Sequence, residues 1–259
     1  MNIHGKVVGP DEEQISKRGK YIPEIKSVLR NKIIRVPEAV YKCSGISILG
    51  TRIKSLLFTT DIALLKNHNA NSVIAVYPFT PQLSIMQAII HNASVPVFTG
   101  VGGGLTTGPR AVNLAMQAEL LGAYGVVVNA PMKHDVIKQI TDAIDIPLIA
   151  SVVSMEDDYM GKIEAGTKIL NVSGGKHTAE LVRQIRRDVG SKFPIIATGG
   201  NRDELILETI EAGANAITYT PPTSAEMFNE IMRIYRTKMG DYDTVSFVNG
   251  NIQDQEEKE

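Results

Sequence analysis

One alternation limits this chain more than any other feature. Short, β-rich apolar runs recur at SLLFTT (55–60), SVIAVYP (72–78), PVFTG (96–100), YGVVVNA (124–130), PLIASVV (147–153), KILNVSG (168–174), PIIATGG (194–200) and AITYTP (216–221). Between them lie segments of helical period: 80–93, 108–123, 133–144, 177–189, 202–214 and 224–238. Parallel neighbours need a crossover of a dozen or more residues, so units of about 22 to 28 residues read as strand plus crossover helix. Pro96, Pro147 and Pro194 open three of the runs, where a missing N–H is tolerated, and glycine follows the last helical turn in LGAYG, EAGTK and EAGAN. Eight such units in about 185 residues point to an α/β fold of the (β/α)₈ TIM-barrel kind, ahead of a doubly wound sheet of five to seven strands.

The barrel is assigned to 55–239. Residues 1–54 form an N-terminal extension with a helix over EEQISKRGKYIPEIKSVLRN, interrupted at Pro23, and a hairpin in YKCSGISILGTR that plugs the barrel bottom or serves as an oligomer arm. Residues 240–259, ending in QDQEEKE, read as a disordered acidic tail. The single cysteine, Cys43, excludes an internal disulfide and a cysteine metal site and suits a reduced compartment. A net charge of −1, sparse aromatic residues and no tryptophan give no footprint for nucleic acid or an anionic membrane. No apolar run reaches membrane-spanning length. A cytoplasmic homo-oligomer acting on a small molecule is the expectation.

In a barrel of this kind chemistry gathers at the carboxyl ends of the strands. FTGVGGGLTTGPR (98–110) follows the third strand, so Gly100, Gly102, Gly103 and Gly104, with Arg110, read as a lid or ligand loop. It is not a dinucleotide fingerprint, because Leu105 stands where a third glycine belongs. After the last three strands come NVSGGKH, ATGGNRDE and TYTPPTSAE, in which Thr223 and Glu226 have capping-box spacing. Backbone amides at Gly174, Gly175, Gly199 and Gly200, with Ser173, Asn201, Thr220, Thr223 and Ser224, are candidates to hold a phosphate. The bland alternative is that Gly199 and Gly200 only permit a tight turn and close packing.

PIIATGGNRDELILETIEAGANAIT (194–218) resembles the phosphate-binding (β/α)₈ barrels: sugar-phosphate epimerases and aldolases, thiazole synthase and the flavin-dependent barrels. The resemblance implies a phosphorylated ligand and covers the carboxyl-terminal half, the remainder matching by strand count. Pro221 and Pro222 stand where those families place Gly-Ser or Gly-Thr, so hydroxyls would build half of the phosphate cup. Schiff-base aldolases of similar families carry lysine inside the sixth strand, whereas Lys168 lies at its wrong end.

For the reacting centre, Asp61, Lys133, His134 and His177 follow strand ends as candidate acids and bases, with Asn129 and Asn171 to steady an enolate oxygen. Each has a plain alternative: Asp61 as a helix cap, Lys133 and His134 as exposed first-turn residues. The five histidines form no ligand-spaced cluster, so no metal site is assigned and no cofactor is expected. Mg²⁺ on Asp61 or the Glu156-Asp157-Asp158 run, and FMN in the phosphate cup, stay open. Three functions follow: an isomerase or lyase using acid–base chemistry next to a carbonyl of a small phosphorylated metabolite, an FMN-dependent oxidoreductase, and a non-catalytic ligand-binding barrel.

Overall fold

The computed structural model describes residues 33–237, positions 23 and 25, and two short strands at 245–248 and 251–254. The helix expected within 12–31 lies outside the described residues. The chain order is β1 (Ile46–Ile48), β2 (Thr51–Ile53), β3 (Ser55–Phe58), α1 (Ile62–Lys66), β4 (Ser72–Ala75), α2 (Leu83–Asn92), β5 (Val97–Gly102), α3 (Pro109–Leu120) and β6 (Gly125–Val128). It continues through α4 (His134–Ala143), β7 (Leu148–Val152), α5 (Tyr159–Glu164), β8 (Ile169–Val172), α6 (Thr178–Val189), β9 (Ile195–Thr198), α7 (Asp203–Glu211), β10 (Ala216–Tyr219) and α8 (Ser224–Thr237). Strands β3 to β10 are parallel and close on themselves, β10 pairing with both β9 and β3. This is the eight-stranded TIM barrel.

The strands read as continuous apolar runs because both faces are covered. Leu56, Ile74, Phe98, Val127, Ile149, Ile169, Ile196 and Ala216, one from each barrel strand, form a single buried cluster. Their chain neighbours Leu57, Val73, Val126, Leu148, Leu170, Ile195 and Ile217 belong instead to the clusters shared with the helices. Alternation therefore fixes which side chains point into the barrel: Phe58, Val76, Asn129, Ser151, Asn171, Ser173 and Thr220 continue the inward phase toward the carboxyl ends.

Ahead of the barrel, β1 and β2 pair antiparallel, and Leu49 at φ 47° takes the left-handed conformation their tight turn requires. Ile46 and Ile53 of this hairpin join the interior cluster, where Ile53 is 1% exposed. Nearby, the Arg186 guanidinium donates to the carbonyls of Gly190, Phe193 and Gly213 and to Asn215 Oδ1, while the Asn215 amide donates to Ser44 Oγ. Burial pushes the Cys43 thiol up to about 12. Within 240–259, read from sequence as unstructured, β11 (Val245–Val248) and β12 (Asn251–Asp254) pair antiparallel. The intervening Asn-Gly is the strongest two-residue hairpin signal in a sequence and outweighs the acidic composition that follows it.

Candidate functional site

A cavity of about 730 Å³ opens at the carboxyl ends of the barrel strands, on the face where this fold keeps its chemistry. Both sides mix apolar and polar groups: toward β3 and β4 Phe58, Ile74, Val76 and Pro78 stand beside Thr59, Thr60, Asp61 and Tyr77, and toward β6 to β10 Asn129, Ser151, Asn171, Ser173 and Thr220 stand beside Ala130, Val153 and Pro221.

Asp61 is the one carboxylate in this lining. It is the N-cap of α1, its Oδ1 accepting the Ala63 N–H at 2.8 Å, and its Oδ2 accepts the Ser224 hydroxyl from the start of α8. The cap reading of the sequence and a place in the cavity are thus both correct, and two hydrogen bonds fix the carboxylate. Four strands further around the ring of eight, the Ser151 hydroxyl donates to Asn129 Oδ1 at 3.1 Å, and Asn171 Nδ2 lies 3.5 Å from Ser151 Oγ. Asn171 Oδ1 is buried and has no protein partner, so an acceptor faces the interior unsatisfied. Behind this row the buried Lys162 ammonium donates to the Ser151 carbonyl at 2.9 Å and pairs with the Asp157 carboxylate. On the opposite wall the Tyr77 hydroxyl accepts the Gln82 N–H at 2.9 Å, which leaves its proton available.

The glycine-rich loop adds a second cavity of about 370 Å³, which shares Val76, Tyr77, Pro78, Asn129 and Ala130 with the first. Gly100, Gly102, Gly103 and Gly104 line it, whereas Arg110 lies in neither lining. The loop is a compact turn, closed by reciprocal hydrogen bonds between Gly103 and Thr106. A Cβ at Gly103 would sit 2.8 Å from Asn129 Cβ, so the bare backbone lets the loop lie directly on a cavity residue.

Of the residues singled out from sequence, the structure gathers Asp61, Asn129, Asn171, Ser173, Thr220 and Thr223 around the main cavity. Lys133, His134 and His177 are in neither lining: they begin or precede helices of the outer ring, His134 Nε2 standing 3.7 Å from Asp158 and His177 Nδ1 3.3 Å from Glu180. In the expected phosphate cup the Gly174 N–H already donates to Thr178 Oγ1, and the Thr223 N–H donates to Glu226 in the capping box. Those bonds hold the Glu226 carboxyl below its usual range, the Thr223 amide contributing most. Gly174, Gly175, Gly199, Gly200, Asn201 and Ser224 do not reach the lining. At Gly199 a Cβ would meet Ile217 and Ile206 at 2.8 and 2.9 Å, so this glycine serves the close packing of α7 on the sheet. Sequence reasoning passed over Tyr77 and Ser151; the inward phase that Ser151 shares with Ile149 was the available signal for the one, and Tyr77, past the end of β4 and in the opposite phase, gave none.

Among the described residues no group of three or more His, Cys, Asp or Glu could hold a metal. In the acidic run Asp157 is tied to Lys162, and Asp158 caps α5 through the Gly161 N–H. Both carboxylates are thus already engaged within the protein. Among the described residues no lysine lines either cavity, so none of them offers a Schiff-base nucleophile there. Among the described residues no helix is long and apolar enough to cross a membrane.

No protein-family model matches the chain. The 4-hydroxy-tetrahydrodipicolinate synthase of Gluconacetobacter diazotrophicus is 27% identical over 158 residues, covering 55% of this chain and 52% of that enzyme, so the chain spans about half the length of the curated relative it matches. Among solved structures, a phosphonopyruvate hydrolase superposes with a TM-score of 0.58 at 14% identity, covering 76% of this chain and 86% of that one. A 2,3-dimethylmalate lyase of the PEP mutase/isocitrate lyase superfamily gives 0.55 at 14%, with 79% and 88% covered. The 4-hydroxy-tetrahydrodipicolinate synthase of Methylacidiphilum fumariolicum gives 0.53 at 14%, with 71% and 73% covered. At these identities the likeness carries the barrel fold.

Proposed function

We propose that this protein is a lyase of the aldolase type, making or breaking a carbon–carbon bond next to a carbonyl by proton transfer within the main cavity. The observation that carries the reading is the opposition of one fixed carboxylate, Asp61, to the row Asn129, Ser151 and Asn171 across the barrel. In the cleavage direction Asp61 takes the proton of a hydroxyl two carbons from the carbonyl. The carbon–carbon electron pair then moves into an enolate, whose oxygen accepts hydrogen bonds from the amide row, and the protonated Asp61 returns its proton to carbon. Comparison supports the class, since the barrels that superpose include a lyase and the partial relative is a synthase.

A phosphate on the substrate has weaker support. Among the described residues no Lys, Arg or His lines either cavity, so a phosphate there would meet only neutral donors and the Asp61 carboxylate. The same deficit bears on FMN.

The test is solvent exchange at carbon. In D₂O the protein should exchange protons next to the carbonyl of at least one of pyruvate, dihydroxyacetone, dihydroxyacetone phosphate and 2-pentanone, followed by proton NMR. Asp61→Asn keeps a good N-cap and should slow exchange by about 10² or more. Equal exchange by both proteins, or none with any compound, would overturn the reading in favour of a binding barrel; a yellow protein would select the flavin alternative.

A further inference from the structure

We infer that the substrate is an uncharged carbonyl compound with an apolar arm, and that the arm runs from the main cavity over Tyr77 and Pro78 into the cavity under the glycine-rich loop. The inference rests on the reading above for its carbonyl head and goes beyond it in naming the substrate class. Size is the first argument. The main cavity alone, at about 730 Å³, falls within the range that takes drug-sized ligands, and a second of about 370 Å³ adjoins it through shared walls. A three-carbon metabolite would fill neither.

Polarity is the second. The main cavity carries Asp61 on one side and the Asn129, Ser151 and Asn171 row on the other, and the walls it shares with the second cavity are Val76, Tyr77, Pro78, Asn129 and Ala130, of which only Tyr77 and Asn129 bring a polar side-chain group. Among the described residues no cationic side chain lines either cavity, so an anionic arm would find no counter-charge there. The third argument comes from the rim. Phe79 is 74% exposed and Leu105 fully exposed, yet both belong to the lining of the second cavity, one following β4 and the other at the tip of the glycine-rich turn. Two large apolar side chains facing water across one opening would be covered by an apolar segment lying between them. The compact Gly103–Thr106 turn holds Leu105 at that place.

Ligand-observed NMR titration of the full chain with methyl ketones from 2-butanone to 2-heptanone, and with 2-oxo acids of matched length, tests the proposal. Each added methylene should tighten ketone binding about fourfold, and each ketone should bind more tightly than its matched acid. Replacing both rim residues, Phe79→Ser with Leu105→Ser, should flatten the gradient for the longer members, and their exposure keeps the fold out of the comparison. In Asp61→Asn the gradient should persist, because the arm does not touch the carboxylate. A length-independent affinity, tighter binding of the acids, or no binding by any ketone would overturn the arm. Since the exchange experiment reads proton transfer on short compounds, its failure is distinct: a gradient without exchange keeps the apolar arm and removes the catalysis.

Discussion

The contrast between Lys162 and Lys133, the lysine singled out from sequence for the reacting centre, begins at the single residue. Lys133 follows a strand end and carries the charge a reacting centre needs, yet it sits on the exposed outer ring. Lys162, in mid-helix, is buried and paired with Asp157, and its ammonium also holds the Ser151 carbonyl in place. Charge is conspicuous in a sequence; inward phase is not, and Ser151 was missed because a serine inside an apolar run looks like a weak strand residue. Asn129 and Asn171 were found because an amide at a strand end is unusual enough to notice, and they share the phase of Ser151. The Lys162 pair can be tested directly. Removing one member of a buried ion pair leaves the other uncompensated, so Asp157→Ala should lower stability by about 3 kcal/mol in urea unfolding. Replacing both members, Asp157→Leu with Lys162→Met, should recover most of the loss; a single variant as stable as the parent would show that the pair is solvated.

At the scale of elements, all eight barrel strands could be read, because each is a short run of β-branched and apolar residues closed by a turn signal. Two helices could not. At five and six residues α1 and α5 are too short to show a helical period, and only their caps, Asp61 and Asp158, mark them. That bears on the site, since the cap of α1 is also the cavity's carboxylate. The β1–β2 hairpin was legible as a turn between apolar residues, but what it packs against was not. Ile53 now stands in the interior cluster with eight strand residues. Ile53→Ala should therefore cost about 3 kcal/mol, within the range for deleting a buried aliphatic side chain. Thermal unfolding would read it, and a loss below about 1 kcal/mol, an ordinary surface effect, would mean that the hairpin is not part of the interior packing.

For the whole molecule, the sequence was informative about architecture and poor on ligand, because all the polar groups of the cavity but Asp61 are neutral and only closure of the barrel brings them together. The same closure sets how stability responds to pH. His68, in the turn between α1 and β4, accepts the Ala70 N–H on Nδ1 at 3.0 Å and pairs in a bridge with Ile34. Burial lowers its pKa from 6.5, so the folded state resists a proton that the unfolded chain accepts. As pH falls through 6.5 toward the folded value, the unfolded state binds more protons and stability is lost. Asp188 and Glu226, held below 3.8 and 4.5 mainly by hydrogen bonds from the Tyr159 hydroxyl and the Thr223 amide, act with the same sign at lower pH. Tyr159, raised above 10 first by burial and then by its bond to Asp188, shares the alkaline contribution with Cys43, Tyr41 and Tyr219, all raised first by burial, so that stability falls as pH rises past their unfolded values. Urea midpoints measured at pH 7, 6 and 5 should therefore decline for the parent protein. His68→Asn can still accept the Ala70 amide through its side-chain oxygen. It removes the titrating group and should flatten that decline while leaving the acid limb below pH 4 unchanged; an equal slope in both proteins would move the linkage to other groups.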